Sequence, residues 1–176
     1  PDHRQLAEYY PKTSTRLYAG DGSLLSEYAR EKRIFVPIDA MPKILINAFL
    51  AAEDRSFYSN AGIDVVGIVR AGIQNALNIL QGNTRLVGAS TITQQVAKNI
   101  LLSNERTLAR KIKEAIIAFR MSITFSKDRI LELYLNEIYL GAGSYGVAAA
   151  AMSYFNKSAY DLPFVESALL VALPKS

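Results

Sequence analysis

Apolar residues recur along this chain first in a short alternation and then, for most of its length, at helical spacing. Leu17-Tyr18 and Leu24-Leu25 flank Gly20-Asp21-Gly22-Ser23, the turn chemistry of a β-hairpin over Thr15 to Tyr28. From Asp39 onward, Ile44, Leu45, Ala48, Phe49 and Ala52 keep the helical period up to the acid pair Glu53-Asp54, with Asp39 expected to cap the helix and Pro42 to sit in its first turn. A second helix is expected from an Asp64 cap to about Leu80, with Gly82 as its stop. Thr91 and Gln94 have capping-box spacing at the head of a third, whose buried side would hold Ile92, Val96 and Ile100. In a fourth, from Glu105 to Thr124, Leu108, Ile112, Ala115, Ile116, Phe119 and Ile123 define the expected core stripe. Ser126 caps a fifth, in which Ile130, Leu131, Tyr134, Leu135 and Ile138 repeat as far as Gly141. Gly143 and Gly146 bracket Tyr145 before an apolar run from Val147 to Met152, and a last helix spans about Pro163 to Ala172, ended by Pro174. Tyr134, Tyr139 and Tyr154 are expected to pack the core. The predicted fold class is mainly α with a short N-terminal β-hairpin.

The second helix departs from the usual single stripe. Val65, Val66, Ile68, Val69, Ile73, Leu77, Ile79 and Leu80 cover about half its circumference, Arg70 is its only charge, and Leu86-Val87 trail behind it. Such a helix is either buried on two sides or part of a lobe that touches lipid.

Composition narrows the chemistry. With 176 residues, half of them apolar, the chain has enough side chain for one core and one compact domain. The 20 Lys and Arg against 16 Asp and Glu leave a net charge of +4, which suits a pyrophosphate or an anionic membrane surface. No basic run or RNA-binding signature accompanies it, so nucleic acid is not an expected partner. There is no Cys, and the one His is His3, ahead of the expected fold. Thiol catalysis, a Ser/His/Asp triad and a His-ligated zinc within the core are thereby excluded. Carboxylates, hydroxyls, Lys and Arg must do the work. No stretch of about 18 apolar residues is present to span a bilayer. A chain opening on Pro1 is expected to be a piece of a longer protein, with an anchor upstream.

Two places stand out on this inventory. Glu53 falls at a helix C-terminus, where the negative end of the macrodipole opposes its charge while Arg55 pulls the other way. Gly88 through Gln95 form a polar helix start that Gly88 allows to approach closely, and Lys98 shares a side with Gln95 one turn on, a sensible anion site. An ordinary capped surface helix would explain Ser90 and Thr91, though not two adjacent glutamines. On the fourth helix, Lys111 and Glu114 share a flank with the small Thr107 and Ala118, so that side could border a cleft, with Arg106 and Arg110 close by. The bland alternative is a solvated face carrying an Arg110 to Glu114 ion pair worth about 0.3–0.5 kcal/mol.

Five ordered blocks, Glu53-Asp54-Arg55-Ser56-Phe57, Gly88 through Gln95 with Lys98-Asn99, Arg110 through Glu114, Lys127-Asp128 through Gly146, and Ala168 through Pro174, resemble the peptidoglycan glycosyltransferases. These are the sugar-polymerising modules of class A penicillin-binding proteins and their monofunctional relatives. The resemblance implies a lysozyme-like glycosyltransferase fold over residues 37–176, preceded by a linker with the hairpin over 1–36, in which a large lobe faces a small membrane-facing jaw at about 64–87. It implies lipid II and the growing glycan strand as substrates, on the extracytoplasmic face of the bacterial cytoplasmic membrane. Glu53 would be the general base on the acceptor sugar's 4-hydroxyl. Glu114 would position the departing pyrophosphate with neighbouring cations or a divalent ion, Mg or Mn, for which no obligatory need is visible. Asp54, Gln95, Lys98, Arg106, Arg110 and Lys111 would contact substrate or pyrophosphate. A transpeptidase domain would lie downstream in the full-length protein; no Ser-x-x-Lys of such a domain occurs here, so this stretch is not expected to bind β-lactams. The family usually has a histidine three residues after the Phe of the first block, where this chain has Asn60; a hydrogen-bonding role survives that exchange and a titrating one does not. Two other readings stay open on the residues alone: a lysozyme-like muramidase, which has little use for cations at the leaving-group side, and a non-catalytic helical module binding membrane or cell wall.

Overall fold

Gly20 to Ser23 turn the chain back on itself, so that β1 (Thr15–Tyr18) pairs antiparallel with β2 (Leu24–Tyr28). Asp21 holds the turn by accepting from the Ser23 N–H and hydroxyl at 2.9 and 2.6 Å. The structure, a computed structural model, describes residues 9, 15–28, 31–83, 88–102 and 107–175. Arg106, Leu86 and Val87 lie outside the described residues, as does part of the expected jaw.

Seven helices follow among the described residues: α1 (Lys43–Glu53), α2 (Val65–Leu80), α3 (Ile92–Val96), α4 (Leu108–Thr124), α5 (Lys127–Glu137), α6 (Val147–Phe155) and α7 (Phe164–Ala172). The mainly α architecture is the expected one. Most caps are local and match their residues: Asp64 accepts from the Gly67 N–H, Thr107 from Arg110 and Ser126 from Arg129. Asp39 does not cap α1. It lies in a short 3-10 turn, Ile38–Ala40, and Pro42 occupies the cap position instead, because proline needs no hydrogen-bond partner for the N–H it lacks.

The core gathers around α5, whose Ile130, Leu131, Leu133, Tyr134 and Leu135 are all buried. One face meets α3, α1 packs on α7, and α6 supplies Val147 and four consecutive buried alanines. Helix α5 ends at Glu137, not at Gly141. The chain then leaves in extended form to make β4 (Ser144–Tyr145), which pairs in parallel with β3 (Lys32–Arg33). Gly146 is obligatory at the next step: its φ is +83°, and a Cβ there would sit 2.6 Å from the Asn136 carbonyl oxygen. Of the three tyrosines expected in the core, only Tyr134 is there; Tyr139 and Tyr154 are exposed, and Tyr154 donates its hydroxyl to the Leu140 carbonyl.

The largest correction concerns α4. Its expected core stripe faces outward, with Leu108 84%, Ile112 61% and Ile123 71% exposed. The buried face is the flank, Glu114, Ile117, Ala118 and Met121, a second stripe at i, i+3, i+4 and i+7. Small Ala118 lets the turn before α2 come close, its carbonyl lying 2.4 Å from where a Cβ on Gly62 would be. A more apolar face was available, but only this one admits the neighbouring backbone. Helix α2 is also outward: Val65, Val69, Ile73 and Leu80 are exposed and only Ala71 and Asn78 are buried, so it is not buried on two sides.

Candidate active site

Helix α1 stops where the acid pair begins, as Asp54 turns to φ −158° and ψ 84°. Glu53 ends the helix half-buried, and the turn that follows, Arg55 to Ile63, carries the chain to the Asp64 cap. That turn is fastened on several sides. Asp54 is buried, and its carboxylate accepts from Asn60 Nδ2 at 3.0 and 3.1 Å, from Ser56 Oγ at 3.2 Å and from the Ile92 N–H at 3.1 Å. Asn60 Oδ1 accepts from the Gly62 N–H at 2.9 Å and from Lys127 Nζ at 3.2 Å. Lys127 also donates to the Asn60 carbonyl at 2.7 Å and lies 4.8 Å over the Phe57 ring. Burial holds the Lys127 ammonium below the ordinary lysine range, with the Asp54 charge pulling it back up.

The two adjacent glutamines have separate tasks. Gln94 completes the capping box, its Oε1 accepting from the Thr91 N–H at 3.0 Å while Thr91 Oγ1 accepts from the Gln94 N–H at 3.1 Å. The Thr91 hydroxyl donates to the Gly62 carbonyl at 2.6 Å, tying this helix start to the turn after the acid pair. Gln95 points to the acid itself: its Nε2 donates to Glu53 Oε2 at 3.0 Å. Gly88, expected to permit a close approach, has open space around it. Burial pushes the Tyr134 hydroxyl well above the ordinary phenol range, and the Glu53 charge adds to the effect.

A cleft of about 990 Å³ opens over these groups. Glu53, Asp54 and Arg55 line one part of it, Val66, Arg70 and Gln74 of α2 another, and Ala89 to Thr91 a third. Arg70, the single charge of α2, thus faces the cleft, a position that its isolation on an apolar helix could have signalled. Ser90, which lines the cleft, accepts at its Oγ from Lys111 Nζ of α4 at 2.7 Å. Lys111 also pairs with Glu114, and Arg110 Nη1 lies 3.6 Å from the same carboxylate. Glu114 is buried, so the expected pair of Arg110 and Glu114 exists but is no surface ion pair. Lys98 is exposed on a π-helical turn, Ala97–Leu101, at the end of α3.

Around Glu114 the described donors do not suit a divalent ion. One carboxylate sits between two cations, and no group of three or more His, Cys, Asp or Glu with metal-binding geometry occurs among the described residues.

The family model described as transglycosylase matches residues 21–176. The chain belongs to the transglycosylase family. Penicillin-binding protein 1A of Rickettsia felis is similar at 56% identity over 176 residues, which is all of this chain and 22% of that protein. Penicillin-binding protein 1A of Aquifex aeolicus is similar at 50% identity, again over all of this chain and 24% of that protein. A crystal structure of Penicillin-Binding Protein 1A from Haemophilus influenzae is similar at 26% identity, covering 96% of this chain and 15% of that one, with a TM-score of 0.44. The chain thus spans less than a quarter of the length of these curated relatives. Within this transglycosylase domain no described helix is long and apolar enough to cross a membrane.

Of the expected site residues, Glu53, Asp54 and Gln95 are brought together, Lys111 contacts the cleft residue Ser90 and pairs with Glu114, which also pairs with Arg110, and the Lys98 side chain makes no hydrogen bond or ion pair with the described residues. Sequence reasoning missed the tie between Asn60, Lys127 and the Ile92 N–H. Its one signal was the histidine position occupied by Asn60.

Proposed function

We propose that this transglycosylase domain is a peptidoglycan glycosyltransferase that polymerises lipid II into glycan strands for the bacterial cell wall. The observation that carries this is that one cleft is lined by the Glu53 carboxylate, held by Gln95, and by Ser90, which accepts from Lys111. Glu53 removes the proton from the acceptor sugar's 4-hydroxyl. That oxygen bonds to the anomeric carbon of the donor from the face opposite the leaving group, and the bond to the lipid pyrophosphate breaks with inversion. The negative charge that builds on the pyrophosphate is met by Lys111 and Arg110, which Glu114 holds in place. Asp54 keeps the end of α1 in register with α3, and Lys98 and Arg106 contribute further positive charge to the pyrophosphate side.

A lipid-linked substrate requires work at the bilayer, and the exposed apolar face of α2 supports contact with a membrane surface. We place the domain on the extracytoplasmic face of the cytoplasmic membrane, within a longer protein that carries a transpeptidase domain downstream.

The test is Glu53→Gln, nearly isosteric and unable to take a proton, assayed on labelled lipid II by separating glycan products. Polymerisation is expected to fall by roughly 10²–10⁴-fold with the melting temperature close to that of the natural protein. A variant that keeps more than about a tenth of the rate would remove Glu53 from the base role.

A further inference from the structure

At position 60 a carboxamide stands at the crossing of three elements. Asn60 donates from Nδ2 to Asp54 at the end of α1, while Oδ1 accepts from the Gly62 N–H and from Lys127 at the head of α5. The connection continues from Asp54. Its Oδ2 accepts from the N–H of Ile92, the first residue of α3, and one turn further on Gln95 holds the Glu53 carboxylate. Asn60 therefore stands two contacts behind the pair that aims the base.

We propose that Asn60 is a positioning residue for glycosyl transfer: by clamping Asp54 against the head of α3 it sets the contact between Gln95 and Glu53, and it does so independently of pH. This role presupposes the polymerisation proposed above. The chemical reason lies in what a carboxamide offers. It donates and accepts at once and never changes charge. A neutral imidazole can also donate to Asp54 and accept on its other nitrogen. Once protonated, both of its nitrogens are donors, so the acceptor needed by the Gly62 N–H and Lys127 is gone and a second cation is pressed against the Lys127 ammonium. The charged groups facing position 60 are Asp54 from α1, Lys127 from α5 and, through Ser56, Asp64 from the head of α2. Helix α4 presents Ala118 and Ser122 to the neighbouring Gly62, neither of them ionisable. Asp54 favours a charged imidazole and Lys127 opposes it, so a histidine here would titrate around its ordinary value of about 6.5.

The experiment compares the full-length natural protein with Asn60→His and Asn60→Asp, following lipid II polymerisation from about pH 5.5 to pH 8.5 and thermal unfolding in parallel. Asn60→His is expected to keep kcat within about threefold of the natural protein at pH 8 and to lose roughly tenfold relative to it by pH 5.5, with KM little changed. Asn60→Asp, which lacks the donor and sets a second carboxylate against Asp54, is expected to lose roughly 10–100-fold in kcat at pH 8. The two variants are independent, so a folding defect in the aspartate leaves the histidine comparison standing. An active natural protein whose Asn60→His variant follows the same pH profile overturns the role of Asn60 alone. A natural protein inert on lipid II at every pH overturns the polymerisation proposal and this one with it.

Discussion

Gln95 Nε2 donates to Glu53 Oε2 at 3.0 Å, joining the second residue cluster of the sequence to the first across 42 positions of chain. The amide orients the Glu53 carboxylate, the proposed base, without occupying its other oxygen. Gln95→Ala is therefore expected to lower kcat by roughly 10–100-fold, the worth of one hydrogen bond to a charged group, with KM and thermal stability little changed. Steady-state kinetics on labelled lipid II check it, and a loss confined to KM would mean that Gln95 only binds substrate.

Glu114 and Lys111 should separate turnover from stability. Glu114 is buried between two cations, and Glu114→Gln strands them. Because Lys111 is itself 46% exposed, the cost is expected to be about 1–3 kcal/mol, below that of breaking a fully buried pair. Lys111→Ala, made at the exposed partner, is expected to cut polymerisation strongly while shifting the melting temperature less than Glu114→Gln does. The reverse order in calorimetry would assign Lys111 to the fold and not to the leaving group.

The outward face of α2 is expected to meet lipid. Val69→Glu with Ile73→Glu, one turn apart and both exposed, removes apolar area that contributes about 25 cal/mol per Å² when it leaves water. Flotation with anionic liposomes is expected to show weaker binding, activity on full-length lipid II to drop, and far-UV circular dichroism to stay the same. Activity on a short-chain soluble analogue should fall much less; equal losses on both substrates would place this face in the sugar site.

Helix α4 offers a stability test of its inverted face. Ile112→Ser, on the exposed stripe, is expected to change unfolding free energy by less than about 0.5 kcal/mol, whereas Met121→Ala, fully buried, is expected to cost about 2–5 kcal/mol. Chemical denaturation of the two variants decides it. A large loss at Ile112 would show that another surface covers the stripe in solution.

Features set within a few residues were readable before folding. The hairpin turn at Asp21, the Asp64 and Ser126 caps and the capping box of Thr91 and Gln94 involve partners at most three residues apart, so local chemistry alone specifies them; Thr107, expected on the flank of a helix begun at Glu105, instead caps α4. The period of α5 also sufficed, since Ile130, Leu131, Tyr134 and Leu135, the repeat read from the sequence, are all buried. Glu53 could be singled out because a carboxylate at a helix C-terminus faces the negative end of the macrodipole.

What the pattern could not decide was which apolar surface the core would cover. Helical period reports that α4 has an oily stripe; it does not report that Ala118 must face the Gly62 turn and that Glu114 must turn inward toward Lys111 and Ser90. A helix has one orientation, and the face with the closest-fitting neighbours took it over the face with more hydrocarbon. The strand pair of β3 and β4, the bond from the Ile92 N–H to Asp54 and the bond from Gln95 to Glu53 are decided in the same way, by groups 38 or more residues apart that meet only after the helices pack. Sequence alone thus determined most of the helices, the Asp64, Thr91 and Ser126 caps and Glu53 as the acid to examine, because these depend on local chemistry; tertiary structure alone decided which faces are inside and how the Glu53 carboxylate is held, because those depend on which distant groups share one small volume.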